Sequence, residues 1–196
     1  EKLLDPSCTQ NDRWLGLEMQ QIARGRELAA QLAEHISLDG ARVLDVGCQT
    51  GGLAIAMAAR SAKVTGVDVD ATLLRAAEIR ARCHGVDAQF VVAKSESLPF
   101  ESNRFDLVTF VDVIEHVERA NDALAEVARV LAPGGLLYLQ GPNRYSPRWF
   151  LRDPHYQMTG ISVLPPDLGR WYVTRVRKRP RYDVGVFPVG ARVIER

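Results

Sequence analysis

Between Arg42 and Gln140 five short, nearly uninterrupted apolar runs alternate with stretches of helical periodicity, and few folds accommodate that rhythm. The runs are Arg42–Val46, Lys63–Val67, Ala88–Val92, Leu107–Val111 and Leu136–Gln140, all rich in Val, Leu or Phe. Apolar character without strict alternation is what a strand needs when helices cover both faces of its sheet. Helices are expected in between. One starts near Gly51 and carries Leu53, Ile55 and Met57. Another follows Asp70, a side chain suited to capping a first turn, with Leu73, Leu74, Ala77 and Arg80 behind it. A third spans Asn121–Leu131 and stops at Pro133-Gly134-Gly135, where proline cannot continue a helix. The pattern predicts an α/β fold, a doubly wound, mainly parallel sheet flanked by helices. An amphipathic helix within Leu17–Ile36, with Leu28, Leu32 and Ile36 on one face, precedes it.

A chain of 196 residues suits one domain or slightly more. At 46% hydrophobic and 25% charged residues it lies in the range of folded globular proteins, which excludes disordered and membrane classes. No apolar run approaches the ~20 residues of a membrane-spanning helix. Cys8, Cys48 and Cys83 are odd in number, lack metal-type spacing and follow no apparent signal peptide, so no disulfide framework is expected and the cytoplasm fits best. The net charge of +1 hides a basic cluster at Arg170, Arg175, Arg177, Lys178, Arg179 and Arg181. A solvated face or a clamp for an anionic substrate explains it at least as well as nucleic acid or an anionic membrane surface, so no clear nucleic-acid partner is read from it.

Asp45-Val46-Gly47-Cys48-Gln49-Thr50-Gly51-Gly52 falls where the first strand turns into the first helix of the sheet, the place at which doubly wound folds bind ligands. Gly47 and Gly51 let the backbone bend sharply and a ligand approach it closely. Gln49 stands where the dinucleotide fingerprint needs its second glycine, and the Gly-Lys-Ser/Thr ending of a phosphate loop is missing. A carboxylate at Asp45 suits a cation better than a pyrophosphate. Asp68, at the end of the second run, is placed to accept the two hydroxyls of a ribose. Its alternative role, capping the next helix, suits Asp70 better.

These residues resemble the class I S-adenosylmethionine-dependent methyltransferases, whose fold is Rossmann-like, and in particular their small-molecule branch with the ubiquinone and menaquinone biosynthesis enzymes. The likeness runs from about Val43 to Gly141. It rests on the glycine turn with Asp68, on Ala93-Lys94-Ser95-Glu96-Ser97-Leu98-Pro99-Phe100 followed by Phe105-Asp106-Leu107-Val108, on Val113-Ile114-Glu115-His116-Val117, and on Leu131-Ala132-Pro133-Gly134-Gly135. The resemblance implies S-adenosylmethionine as cofactor and S-adenosylhomocysteine as product. Asp45, Gly47, Cys48 and Gly51 would hold the methionine end, Asp68 the ribose, and Val69, Ser95, Glu96 and Val111 the remainder of the cofactor. One position departs: Lys94 stands where the family usually has an aspartate that accepts the adenine amino group, and lysine has no acceptor.

Methyl transfer to a small-molecule acceptor, more at oxygen than at nitrogen or carbon, is the activity so implied. A hydroxyl acceptor needs a base. Asp112, Glu115 and His116 follow the fourth run, with His116 the preferred base and helix capping the bland reading. The same three match an acid-x-x-Glu-His arrangement that resembles a divalent-metal site of quinone O-methyltransferases, yet no metal is assigned. A non-catalytic module that binds the cofactor is the alternative. Residues 1–141 are read as the cofactor domain with its N-terminal helix. Residues 142–196 are read as an aromatic and basic lid or substrate segment carrying His155 and Tyr156, with a short strand at Val173–Arg177, in a domain that lacks its last strands.

Overall fold

The computed structural model describes residues 12–141, 168 and 171–176. The element order is α1 (Asp12–Leu32), β1 (Arg42–Val46), α2 (Gly52–Ala58), β2 (Lys63–Asp68), α3 (Ala71–Cys83), β3 (Ala88–Val92), β4 (Phe105–Val111), a 3-10 turn (Ile114–His116), α4 (Ala120–Val130) and β5 (Leu131–Gln140). The chain forms two compact units, one of residues 1–111 and 122–139, the other of residues 112–121 and 140–196.

The first unit contains the sheet, in the order β3-β2-β1-β4-β5. β1 pairs in parallel with both β2 and β4, and β2 with β3. The order reverses direction between β1 and β4. In doubly wound sheets such a reversal is where ligands bind, outside the carboxyl ends of the strands. The apolar runs explain the burial: Val43, Leu44, Leu107, Val108 and Phe110 have no exposed surface. α1 adds Leu28, Ala29 and Leu32 to the same core as Ala54, Ala56 and Met57 of α2. Fully burying a Leu or Val side chain contributes about 1.5–3 kcal/mol.

Asp70 caps α3 as its position in the sequence suggests, accepting the backbone N–H groups of Thr72 at 2.7 Å and Leu73 at 3.4 Å. Four expectations need correction. β4 begins two residues early, at Phe105. β5 begins at Leu131, because the bend at Gly134 (φ +78°) falls inside the strand and does not precede it. Tyr172–Val176 is a π-helical turn, not a strand; five residues are too few to separate a period of two from a helical one. Cys83 is disulfide-bonded while Cys48 is a free, buried thiol, since chain spacing says nothing about pairing between distant residues. Among the described residues no helix is long and apolar enough to cross a membrane. His155, Tyr156, Arg170, Arg177, Lys178, Arg179, Arg181 and the rest of the segment 142–196, apart from 168 and 171–176, lie outside the described residues.

Candidate active site

The turn after β1 is built from backbone strain held by specific bonds. Gly47 (φ +70°), Gln49 (φ +49°) and Gly51 (φ +78°) are all left-handed. Glycine adopts this conformation freely, whereas for Gln49 it costs roughly 1–2 kcal/mol. The backbone N–H groups of Gly47 and Cys48 donate to the Val67 carbonyl at 2.8 and 3.0 Å, and Gly51 N–H donates to the Cys48 carbonyl at 2.8 Å. At Gly51 a Cβ would also stand 3.0 Å from Cβ of Ala77 and 3.2 Å from the Phe90 ring, so the position requires glycine twice over.

Asp68 ties the turn to β2. Its Oδ2 accepts the Gln49 N–H at 2.9 Å and its Oδ1 accepts the Asp70 N–H at 3.0 Å. A carboxylate has about four acceptor sites, so each oxygen keeps a lone pair beyond these two bonds. Beside it Val69 is 65% exposed, an apolar side chain set next to a carboxylate at the mouth of the strands.

Asp45 is placed differently from what its neighbourhood to the turn suggests. It is buried, and its Oδ1 accepts the Thr109 hydroxyl at 2.7 Å from the register partner on β4. Burial raises its pKa to about 7, against the Thr109 hydrogen bond and an N–H from Ala54 near the start of α2, with the charge of Asp68 adding to the rise. The carboxylate therefore anchors the start of α2 and the β1–β4 seam. Burial, then the charges of Asp45 and Asp68, push the Cys48 thiol far above its ordinary range, so it is no nucleophile.

The loop after β3 is pinned from α4. Glu126 accepts the Leu98 N–H at 2.8 Å, and Arg129 donates to the carbonyls of Phe100 at 2.7 Å and Leu98 at 3.0 Å while pairing with Glu126 at 2.7 Å. Within this loop Ser95 is buried and its hydroxyl donates to Glu96 at 3.1 Å. Lys94 is exposed, and its carbonyl accepts the Ser97 N–H at 3.1 Å. β4 ends at a half-buried Val111.

In the second unit Asp112 is left-handed (φ +54°), its N–H donating to the Gln140 carbonyl at 2.8 Å and its Oδ1 accepting the Gln140 side-chain amide at 3.3 Å. Aspartate is one of the few non-glycine residues that visit this region, because its short polar side chain can hydrogen-bond locally. Glu115 is buried and His116 exposed on the 3-10 turn. Among the described residues, these three included, no three His, Cys, Asp or Glu side chains gather as a metal site. Sequence reasoning missed Thr109, Glu126 and Arg129. Thr109 carried a signal, being the one hydroxyl inside the apolar run of β4.

The methyltransferase-domain family matches residues 44–139, the span that holds the glycine turn, Asp68 and the pinned loop. Over 119 residues the chain is 37% identical to the ubiquinone biosynthesis O-methyltransferase of Pseudomonas entomophila (strain L48), which covers 60% of this chain and 51% of that relative. The domain belongs to the class I S-adenosylmethionine-dependent methyltransferases. Two solved structures share the methyltransferase fold. The PH0226 protein of Pyrococcus horikoshii OT3 has a TM-score of 0.55 and 32% identity over 59% of this chain and 55% of its own. A SAM-dependent methyltransferase from Methanosarcina mazei has a TM-score of 0.51 and 29% identity over 54% of each chain. The chain spans about half the length of the curated relatives it matches. The glycine turn follows the carboxyl end of β1, and Asp68 ends the neighbouring β2.

Proposed function

We propose that the protein transfers a methyl group from S-adenosylmethionine to a hydroxyl of a small-molecule acceptor. The observation that carries this reading is the Asp68 carboxylate, bound to the glycine turn by Gln49 yet with a lone pair left on each oxygen. Two free acceptors on one carboxylate fit the two hydroxyls of a ribose. The exposed Val69 next to it offers an apolar face to adenine. The backbone at Ser95 and Glu96, in the loop that Glu126 and Arg129 hold farther along at Leu98, supplies polar contacts where the Lys94 side chain supplies no acceptor. Asp45 acts here through the turn it anchors. With Gly47, Cys48 and Gly51 it shapes the surface for the methionine end, and Val111 lines the end of β4.

When bound, S-adenosylmethionine supplies an electrophilic methyl on a sulfonium with a neutral leaving group and departs as S-adenosylhomocysteine. What remains for the protein is alignment, worth about 7–11 kcal/mol in well-oriented systems, and removal of the hydroxyl proton. His116 takes that proton in this reading, with Asp112 and Glu115 orienting it. That the Pseudomonas entomophila relative is named an O-methyltransferase favours oxygen as acceptor atom.

A second reading, a module that binds the cofactor without turnover, is favoured by the exposed Lys94. Incubation with methyl-labelled S-adenosylmethionine and a panel of phenols, catechols and alcohols separates the two. Labelled ether that falls by about 10²–10⁴ in His116→Ala supports catalysis with a general base. Cofactor binding with no labelled product from any acceptor supports the module.

A further inference from the structure

Thr50 sits between the two left-handed residues Gln49 and Gly51, and its peptide group is held from α3. Nη1 of Arg80 donates to the Thr50 carbonyl at 2.8 Å, to the Thr50 hydroxyl through a short contact, and to Oε1 of Gln21 on α1 at 3.0 Å. The Thr50 hydroxyl in turn donates to Gln21 at 2.6 Å. α1, the turn and α3 thus meet in one hydrogen-bonded group. Arg80 is 6% exposed, on a helix face it shares with the buried Leu74, Ala77 and Ala81. An apolar residue would fill such a place without the several kcal/mol that burying a guanidinium costs. What the arginine adds is a set of donors aimed at Thr50.

α1 comes very close to the turn for the same reason. A Cβ on Gly25 would stand 2.5 Å from the Gly52 carbonyl oxygen, so the helix backbone packs directly on the first residue of α2. Gln21, one helical turn earlier, then reaches Thr50. Asp68 fixes the turn on one side at Gln49 and Arg80 fixes it on the other at Thr50.

We propose that Arg80 is a positioning residue for cofactor binding, which with Gln21 of the N-terminal helix locks the Thr50 peptide and so preorganises the turn from Gly47 to Gly52. The proposal rests on the reading of that turn as the S-adenosylmethionine site. A strained turn persists only where its surroundings over-determine it. Without the lock the backbone samples other conformers, and the affinity falls by the fraction of competent turn that is lost.

The test uses the full chain with Arg80→Met, Arg80→Lys, Gln21→Leu and Thr50→Val, and two readouts. Amide hydrogen exchange of Gln49 and Gly51 in the ligand-free protein reports the turn, and calorimetry with S-adenosylmethionine reports binding. Arg80→Met is expected to speed exchange at Gln49 and Gly51 at least tenfold while amides of β4 stay as in wild type, and to weaken binding at least tenfold. Arg80→Lys, with donors on a shorter reach, recovers part of both. Should Arg80→Met fail to fold, Gln21→Leu and Thr50→Val, with severalfold effects in the same direction, decide the matter. Wild-type exchange and wild-type affinity in the folded variants overturn the lock. Faster turn exchange in a protein whose wild type does not bind S-adenosylmethionine leaves the lock standing and overturns the cofactor reading.

Discussion

The Thr109 hydroxyl donates to the Asp45 carboxylate at 2.7 Å across the seam between β1 and β4, where the strand order of the sheet reverses. This bond joins the buried anchor of the glycine turn to the strand from which the segment carrying Asp112, Glu115 and His116 departs.

The pair gives the protein a pH signature. Burial raises the Asp45 pKa from an ordinary 3.8 to about 7, so between those values the folded protein holds a proton that the unfolded chain releases. That contribution is full below about pH 4 and is lost as pH rises through about 7. Relative to Asp45→Asn, the unfolding free energy of wild type is expected to decline between pH 4.5 and 6.5 by up to about 1.4 kcal/mol per pH unit. Urea denaturation at several pH values checks it. Asp106 and Glu126 are shifted the other way, first of all by hydrogen bonds from Arg42 and Arg129, and their contributions are lost only in more acid solution.

Thr109→Val keeps the side-chain shape and removes the donor. At pH 8, where Asp45 is charged, the substitution is expected to cost about 1–3 kcal/mol, the range for an unsatisfied buried partner. At pH 5 the neutral carboxyl carries its own proton and the loss is smaller. Chemical denaturation at the two pH values distinguishes this from a packing defect, which would be the same at both.

Gly66, the register partner of Asp45 on β2, faces a different constraint. A Cβ there would lie 2.7 Å from Cys48 Sγ and 2.9 Å from the Phe90 ring. Gly66→Ala is expected to destabilise by about 1–3 kcal/mol through overpacking. Adding Cys48→Ala, which removes the sulfur, returns part of that loss in a double-mutant cycle.

Much of this arrangement was legible in the sequence because it is local. The five apolar runs located the strands, and Asp70 capped α3 where its spacing placed it. Gly47, Gly51 and Asp68 stand together because a βαβ unit brings consecutive strand ends to one edge. Long-range partners were hidden. Nothing in the spacing of Asp45 and Thr109 says that β1 and β4 are neighbours, so the bond by which Thr109 holds the buried Asp45 carboxylate was not readable from it. Arg80 looked like one more residue of an amphipathic helix, since periodicity shows which face is buried but not which donor the buried face must supply. The Pro133-Gly134-Gly135 bend was visible, while its place inside β5 depended on strand pairing.

The clamp on the loop after β3 is likewise a tertiary feature, and it predicts a local effect. Arg129→Met removes the donors to Leu98 and Phe100 and leaves Glu126 without its pair. Faster amide exchange across residues 94–100, with β1 and β2 unchanged, is the expected outcome in hydrogen-exchange mass spectrometry. Hydrogen bonds from charged groups contribute about 1.5–3 kcal/mol each, so a stability loss of that order accompanies it.

The central proposal is that the glycine turn and Asp68 form one site for S-adenosylmethionine, the turn at its methionine end and Asp68 at its ribose. Calorimetric titration of S-adenosylmethionine into wild type, Asp68→Asn and Asp68→Ala, with circular dichroism to verify the fold, tests it most directly. The account predicts one-site binding by wild type, weakened more than tenfold in Asp68→Ala and by less in Asp68→Asn, which keeps one oxygen acceptor. Equal affinity in all three folded proteins, or binding of NAD in place of S-adenosylmethionine, would contradict it.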